Sequence, residues 1–119
     1  MIKFVIGGQV EKQKIADLVK SIGGDEVEVK VKNDLQAAND IKSGKADYYL
    51  GACHTGGGGA LSMAIALLTK SKCATVSMPG KPPKKEDVIK AVNEGKIAFG
   101  FTGDHHEEAV KMIVEEILK

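Results

Sequence analysis

The sequence predicts an α/β protein, a three-layer sandwich in which helices cover both faces of a five-stranded parallel sheet. Three observations lead to this prediction. Short apolar runs alternate with segments of helical periodicity along the chain. Glycine, proline or asparagine marks most of the junctions between them. The length of 119 residues suits one domain with its own core, so residues 1–119 are expected to form a single α/β domain.

The first half of the chain alternates strand and helix patterns. Residues 2–6 are an apolar run that predicts a buried strand, and a glycine pair ends it. Residues 9–22 carry an apolar stripe at helical spacing up to a second glycine pair. Residues 27–31 alternate valine with charged side chains, which is typical of a strand with one wet face at the edge of a sheet. A second helix follows up to the next glycine, with Asn33 or Asp34 as its cap.

The second half repeats the same alternation. Each predicted strand is a short apolar run, and glycine or proline lies at most of the helix boundaries. The strands are predicted at residues 47–50, 74–78 and 97–101, and the helices at residues 61–68, 86–93 and 105–118.

The order of the strands follows from connection geometry. Right-handed crossovers place helices on both faces of a parallel sheet. With the second strand at an edge, the flavodoxin-like order 2-1-3-4-5 fits, and this Rossmann-like class binds ligands beyond the carboxyl ends of the first and third strands. The loops after these two strands are therefore expected to face each other across a crevice. The loop after the fifth strand opens on the same side.

A glycine-rich loop between the third strand and the next helix is the most unusual stretch. Consecutive glycines allow a ligand to approach main-chain N–H groups, which at a helix N-terminus carry the positive end of the dipole. All 17 basic residues are lysine, so backbone N–H groups, hydroxyls or lysines must hold any anion. We therefore predict a small anionic metabolite as ligand. The candidate ligand-binding residues are Gly7, Gly8, Gln9, Gly56, Gly57, Gly58, Gly59, Thr102, Asp104 and His105.

The loop has a plainer interpretation as well. A glycine turn can pack closely under a neighbouring strand without binding any ligand. The stretch matches neither the P-loop, which needs a lysine and a hydroxyl after its last glycine, nor the dinucleotide fingerprint. Nucleotide binding is accordingly disfavoured.

Three candidate catalytic residues open this loop. Cys53 lies near a helix N-terminus that favours its thiolate, which can remove a proton from carbon or attack an electrophile; the alternative is a small buried side chain. His54 can transfer protons or bind the ligand, or be an exposed loop histidine. Thr55 can donate to an oxyanion, cap the helix, or do both.

The histidines near the last helix give a weak metal pattern. His105 and His106 are adjacent, so on a helix their side chains point in different directions. With Asp104 they fall short of the converging ligands that zinc requires. Asp104 can instead cap the helix or orient a histidine. We predict neither a metal nor another cofactor.

Charge and hydropathy bear on partners and location. The net charge of +1 lacks the basic footprint of a nucleic-acid binder. Residues 61–68, the longest apolar run, are too short to cross a bilayer, and residues 1–6 lack signal-peptide features, so a cytoplasmic protein with thiol cysteines is expected. Cys73 is expected to pack on an interior strand. The helix at residues 60–68 is apolar nearly all round, which predicts a homodimer unless loops and neighbouring helices cover it.

A family resemblance covers nearly the whole chain. The segment KSGKADYYLGACHTG at residues 42–56, followed by GGGALS and an apolar helix, closely resembles the YhfU-like family of small bacterial proteins of unknown function. The likeness includes Asn33, Asp34 and the segment at residues 95–100. It implies a fold and brings no assigned reaction.

A second resemblance is local. Gly44-Lys45-Ala46-Asp47 and the later Cys-x-Thr-Gly-x-Gly pattern are similar to the core motif of the ribose-5-phosphate isomerase B and galactose-6-phosphate isomerase family. In that family the cysteine is the carbon base, and the threonine and glycines hold the enediolate oxygen. The resemblance thus implies Cys53 as base, with an anion hole lined by Thr55, Gly56 and Gly58.

The local resemblance is incomplete. That family's Asp-His pair after the first strand is replaced here by Gly7-Gly8-Gln9, and its phosphate-binding arginines have no counterpart. Two functions therefore stay open. One is an isomerase-like or lyase-like enzyme acting on a small anionic metabolite. The other is an accessory protein that binds a metabolite or partner without chemistry.

Overall fold

The computed structural model describes residues 1–54 and 58–119, with the backbone alone for residues 58–60 and Met63. Within these ranges five strands form one sheet, and five helices connect or follow them. The strands are β1 (Ile2–Gly8), β2 (Val27–Val31), β3 (Tyr48–Cys53), β4 (Cys73–Thr75) and β5 (Ala98–Thr102). The helices are α1 (Lys12–Gly23), α2 (Asp34–Lys42), α3 (Gly58–Leu68), α4 (Lys85–Asn93) and α5 (His106–Ile117).

The helices form two layers on the sheet. Buried side chains of α1, α4 and α5 pack on one face with strand residues such as Phe4 and Phe99. Buried side chains of α2 and α3 pack on the other face with Val5 and Tyr49. This alternation follows from the period of two along a strand. The predicted α/β class with helices on both faces is confirmed.

The order of the sheet is β2-β1-β3-β5-β4, with every neighbouring pair parallel. β2 lies at an edge as predicted, but the predicted order of the last two strands is wrong. All five residues of β5 are buried, whereas β4 has three residues, of which Thr75 is exposed. An interior parallel strand must bury both faces. For that reason β5 occupies the interior position and β4 the edge.

The order of β4 and β5 in the sheet determines the surroundings of both cysteines. β5 lies beside β3 and brings Thr102 into register with Cys53. Cys73, expected on an interior strand, instead begins the edge strand β4. It is still 8% exposed, and its thiol lies 3.5 Å from the carbonyl oxygen of Thr69. Burial raises the pKa of Cys73, and nearby Lys96 partly opposes that rise. Cys73 therefore packs in the core, as predicted.

Two element boundaries differ from the sequence pattern for local reasons. α1 begins at Lys12, later than predicted, because the N–H groups of Gln9 and Val10 both bind the carbonyl oxygen of Ala52. β4 ends early, and a turn closed by Met78 and Lys81 follows it. Asn33 caps α2 by accepting the Gln36 N–H at 2.9 Å, as predicted.

Among the described residues, no helix combines the length and the apolar character that a membrane span requires.

Candidate functional site

The carboxyl ends of β1, β3 and β5 meet at one edge of the sheet. The register pairs Gly8 with Ala52 and Cys53 with Thr102. This is the edge at which the crevice was predicted, and it is where parallel α/β proteins bind ligands. The loop after β5 opens directly beside the end of β3.

Tyr49 covers the sheet at this edge, on the side of α2 and α3. A Cβ added at Gly7 would lie 2.6 Å from Cε2 of the Tyr49 ring, and one added at Gly51 would lie 2.7 Å from its Oη. Both glycines are therefore needed to make room for the ring. Gly7, predicted as a ligand-binding residue, has this packing contact with Tyr49.

The carboxylate of Asp34 fixes the Tyr49 ring. Tyr49 Oη donates a hydrogen bond of 2.9 Å to Asp34 Oδ1, and the N–H of Gly8 donates to the same oxygen at 2.5 Å. Asp34 is the first residue of α2. Asp34 thereby joins the start of α2 to Gly8 at the end of β1 and to the Tyr49 ring on β3.

Burial is the main cause that raises the pKa of Tyr49 far above its ordinary value of 10.0. The charge of Asp34 and its hydrogen bond raise this pKa further, and Cys53 adds a smaller rise, whereas Gly8 lowers it. The phenol therefore stays protonated at neutral pH. Since residues 49, 51 and 53 share one face of β3, the Cys53 thiol lies on the same side of the sheet as this hydroxyl.

Cys53 is the last residue of β3 and is 1% exposed. Such burial is what a packing role predicts for a cysteine. The polar groups near it, Tyr49 with Asp34 and the facing Thr102, are not those of a purely apolar core position. His54, the next residue, is exposed.

Thr102 carries a small hydroxyl network at the end of β5. It is 1% exposed, its N–H donates to Ser77 Oγ at 2.9 Å, and the two hydroxyl oxygens lie 3.1 Å apart. A hydrogen bond from the Thr102 side chain is the largest cause that lowers the pKa of Asp104, and His105 lowers it further, while desolvation opposes them. Asp104 is thus an exposed carboxylate held beside the strand end.

The two adjacent histidines have different surroundings, as predicted for neighbours on a helix. Both ring nitrogens of His105 are buried and lack a hydrogen-bond partner among the described residues. Its Nε2 lies 3.5 Å from Asp104 Oδ2, and its Nδ1 lies 3.7 Å from Glu108 Oε1. His106 contacts the carbonyl oxygen of Gly103 through Nδ1 at 2.8 Å. The described residues hold no cluster of three or more His, Cys, Asp or Glu side chains suited to a metal.

The loop after β1 uses most of its N–H groups within the protein. Gly8 has φ +83°, and a Cβ there would lie 2.6 Å from the backbone nitrogen of Ala52. Its N–H binds Asp34, and the Gln9 N–H binds the Ala52 carbonyl oxygen at 2.8 Å. What this loop offers to a ligand is the exposed side chain of Gln9.

Part of the predicted site lies outside the described residues. Thr55, Gly56 and Gly57 fall there, so their assigned roles stay predictions. Gly58 and Gly59 form the first two residues of α3. A helix does follow the loop, as the anion-cradle prediction requires.

Three residues at this edge were missed by sequence reasoning. They are Asp34, which was considered only as a helix cap, Tyr49, which was considered only as part of an apolar strand, and Ser77. Gly51 could have indicated the packing of Tyr49, because a glycine inside a strand often marks the close approach of another group. Nothing in the pattern indicated that Ser77 would reach the end of β5.

The fold is similar to that of two solved isomerases. The structure of Trypanosoma brucei type B ribose 5-phosphate isomerase superposes with a TM-score of 0.75 at 15% identity, over 98% of this chain and 85% of that chain. Ribose-5-phosphate isomerase B from Giardia lamblia gives 0.67 at 19% identity, over 99% and 87%. At these identities the likeness shows the fold alone.

Sequence similarity identifies the family. The chain is 38% identical over 117 residues to the uncharacterized protein YhfU of Escherichia coli strain K12, covering 98% of this chain and 99% of that protein. The YhfU protein of Shigella flexneri matches equally. The family model described as "Protein of unknown function DUF2620" matches residues 2–117. The chain therefore belongs to the DUF2620 family.

Proposed function

We propose that the chain binds a small anionic metabolite at the carboxyl ends of β1, β3 and β5, and that Cys53 acts there as the base of an isomerase-like proton transfer. One observation carries the proposal. Cys53 lies at this strand end in register with Thr102 and on the same face of β3 as Tyr49, whose pKa its charge raises slightly, in a fold similar to isomerases of the ribose-5-phosphate type.

The chemistry assigns each group a role. Cys53, as thiolate, takes a proton from a carbon next to a carbonyl, and the C–H electron pair moves onto the carbonyl oxygen. Backbone N–H groups at the start of α3 stabilise the charge that develops on this oxygen. The carbon that loses its proton carries a hydroxyl group, and the proton of this hydroxyl passes to the enediolate oxygen. Return of the first proton from the Cys53 thiol to the former carbonyl carbon then gives the isomer and regenerates the thiolate. Asp34 holds Tyr49 in place beside the thiol, so Tyr49 shapes the floor of the site.

His105 supports a ligand at the same edge. Its two buried ring nitrogens have no hydrogen-bond partner among the described residues, which is costly for a buried polar group. A ligand oxygen placed at the end of β5 would satisfy one of them. Because the carboxylates of Asp104 and Glu108 lie 3.5 and 3.7 Å from these nitrogens, His105 favours a hydroxyl group of the ligand, whereas exposed His54 and the α3 N-terminus favour its anionic group.

Exchange of substrate protons with deuterated water tests the catalytic role. The protein is incubated with ribose 5-phosphate, galactose 6-phosphate and small α-hydroxy and α-keto carboxylates, and deuterium at carbon is followed by NMR. We expect exchange with one class of compound, lost in Cys53→Ala and kept in the matched control Cys73→Ala. Exchange that persists in Cys53→Ala would show that the thiol is not the base.

The second candidate is an accessory protein that binds the same ligand without chemistry. The low exposure of Cys53 favours it, as does the use of the Gly8 and Gln9 N–H groups within the protein. Its signature is a compound that raises the melting temperature by mass action, with no deuterium exchange and no product.

A further inference from the structure

The edge strand β2 has an open side with a self-complementary sequence. Its partner β1 pairs with it over consecutive residues from Val27 to Val31, so the other side of β2 faces away from the sheet. Edge strands expose rows of backbone donors and acceptors that can pair with another chain. Neither a proline nor a bulge interrupts this strand, whose sequence is VEVKV.

The direction of the backbone groups can be assigned. The N–H of Lys32 donates to the carbonyl oxygen of Ile6 on β1 at 2.9 Å. Because successive residues of a strand direct their backbone groups to opposite sides, residues 28 and 30 also face β1. The backbone N–H and C=O groups of Val27, Val29 and Val31 therefore point outward.

From this geometry we propose that two copies of the chain pair antiparallel through β2, centred on Val29. In this register each Val29 faces its own copy and Val27 faces Val31, so the outward backbone groups form hydrogen-bonded pairs. Lys20 Nζ, which donates to the Val27 carbonyl oxygen at 3.1 Å in the single chain, gives up that contact in the pair. Glu28 then lies opposite Lys30 of the second copy at the non-hydrogen-bonded positions, where side chains approach most closely.

Charge selects this register over its neighbours. Centring the pair on residue 28 would set Glu28 against its own copy, and centring it on residue 30 would do the same for Lys30. Like charges directly opposite each other are destabilising. The register centred on Val29 places opposite charges together on both sides of the twofold axis, and it brings Glu26 opposite Lys32 as well.

The apolar surface agrees with a second copy as the occupant. The valines of β2 share the face of Phe4 and Ile6, on the side of α1. Val31 is 43% exposed and Met1 is 75% exposed. A groove of about 610 Å³ runs along this edge, and its apolar lining includes Val27, Val29, Val31 and Met1. The antiparallel pair joins two such valine stripes into one.

Charge-swap variants test the proposal by the mass of the full-length protein in sedimentation equilibrium. Glu28→Lys and Lys30→Glu each place like charges opposite in the pair, so each is expected to raise the dimer dissociation constant by about tenfold or more. The double variant Glu28→Lys/Lys30→Glu restores the complementary pattern and the dimer. An equimolar mixture of the two single variants should form a heterodimer. Circular dichroism of each variant confirms that it is folded.

Hydrogen exchange gives a local readout. The amides of Val29 and Val31 should become protected as the protein concentration rises, while the Lys32 amide is protected throughout by β1. A chain that stays monomeric at high concentration would overturn the proposal. So would a dimer that the single charge swaps leave intact, since its interface would then lie elsewhere, for example on α3 where Ile65 is 38% exposed. Binding of a foreign extended peptide to β2 without dimer formation would overturn it too.

Discussion

The phenol of Tyr49 donates a hydrogen bond of 2.9 Å to the carboxylate of Asp34, and this contact ties the start of α2 to the centre of the sheet. The same carboxylate oxygen accepts the Gly8 N–H. One side chain thus binds the end of β1 and a ring from β3, the two strands between which the chain changes direction across the sheet. Stability and site geometry are coupled at this point.

Tyr49→Phe removes the hydroxyl while it keeps the ring over Gly7 and Gly51. A hydrogen bond to a charged group contributes about 1.5–3 kcal/mol, and we expect the free energy of unfolding to fall by that amount. Urea denaturation measures it. Tyr48→Phe is the matched control. It also removes one hydroxyl from a tyrosine of β3, whose ring centroid lies 5.6 Å from that of Phe4, but it leaves the contact between Tyr49 and Asp34 intact. Equal losses in the two variants would contradict the role given to Asp34.

The raised pKa of Tyr49 predicts a loss of stability at alkaline pH. The unfolded chain ionises this phenol near its ordinary value of 10.0, whereas the folded chain keeps the proton to higher pH because of burial and Asp34. The folded state thus binds more protons above that value, and its stability falls as pH rises. The contribution is present in full below about pH 10. Tyr49→Phe should therefore flatten the alkaline limb above about pH 10, and an unchanged limb would count against the shift.

Gly51→Ala tests the contact between the strand and the ring. The added methyl would lie 2.7 Å from Tyr49 Oη and 3.0 Å from Cε1, so the ring must shift. Overpacking of this kind costs about 1–3 kcal/mol. Because the hydroxyl makes the shortest contact, the cost should be smaller in the Tyr49→Phe background. A double-mutant cycle that gives purely additive losses would show that the Tyr49 hydroxyl does not lie over Gly51.

Thr102→Val tests the hydroxyl network at the end of β5. The hydrogen bond from Thr102 is the largest cause of the lowered pKa of Asp104. Removal of this hydroxyl should move the carboxyl pKa upward toward 3.8, its ordinary value. An NMR titration of the Asp104 carboxyl carbon measures the change. The lowered pKa of Asp104 stabilises the folded chain at pH values above the pKa of the unfolded chain, and this stabilisation is lost as the pH falls through the pKa of the folded chain. An Asp104 titration that is the same in Thr102→Val as in the unchanged protein would contradict the hydrogen bond from Thr102.

Local patterns predicted most of the elements but could not order the last two strands. The apolar runs at residues 74–78 and 97–101 look alike in sequence, and the difference lies in burial across the whole sheet. Phe99 and Phe101 fill the layer under α4 and α5 while Ala98 is buried in the opposite layer, and burial of both faces requires an interior strand. The edge position of β2 was predictable because its alternation of valine and charge reports exposure directly.

The site was predictable only as a set of strand ends. Cys53 and Thr102 were both candidates, yet their direct pairing depends on the neighbouring positions of β3 and β5. The contact between Asp34 and Tyr49 joins residues far apart in sequence and has no local signature. Gly7 and Gly51 are the sequence features that reflect this contact, because a ring over the sheet requires strand positions without a side chain.

Mapping where the ligand binds is the most direct test of the proposed site at Cys53. Two-dimensional amide NMR of the labelled protein, titrated with the anionic compound that stabilises it most, maps that position. We expect perturbations concentrated at residues 53–59 and at Thr102 to His105, with Gly8 and Asp34 beside them. Perturbations confined to the opposite end of the sheet, around Asp47 and Ile97, would contradict the site at Cys53.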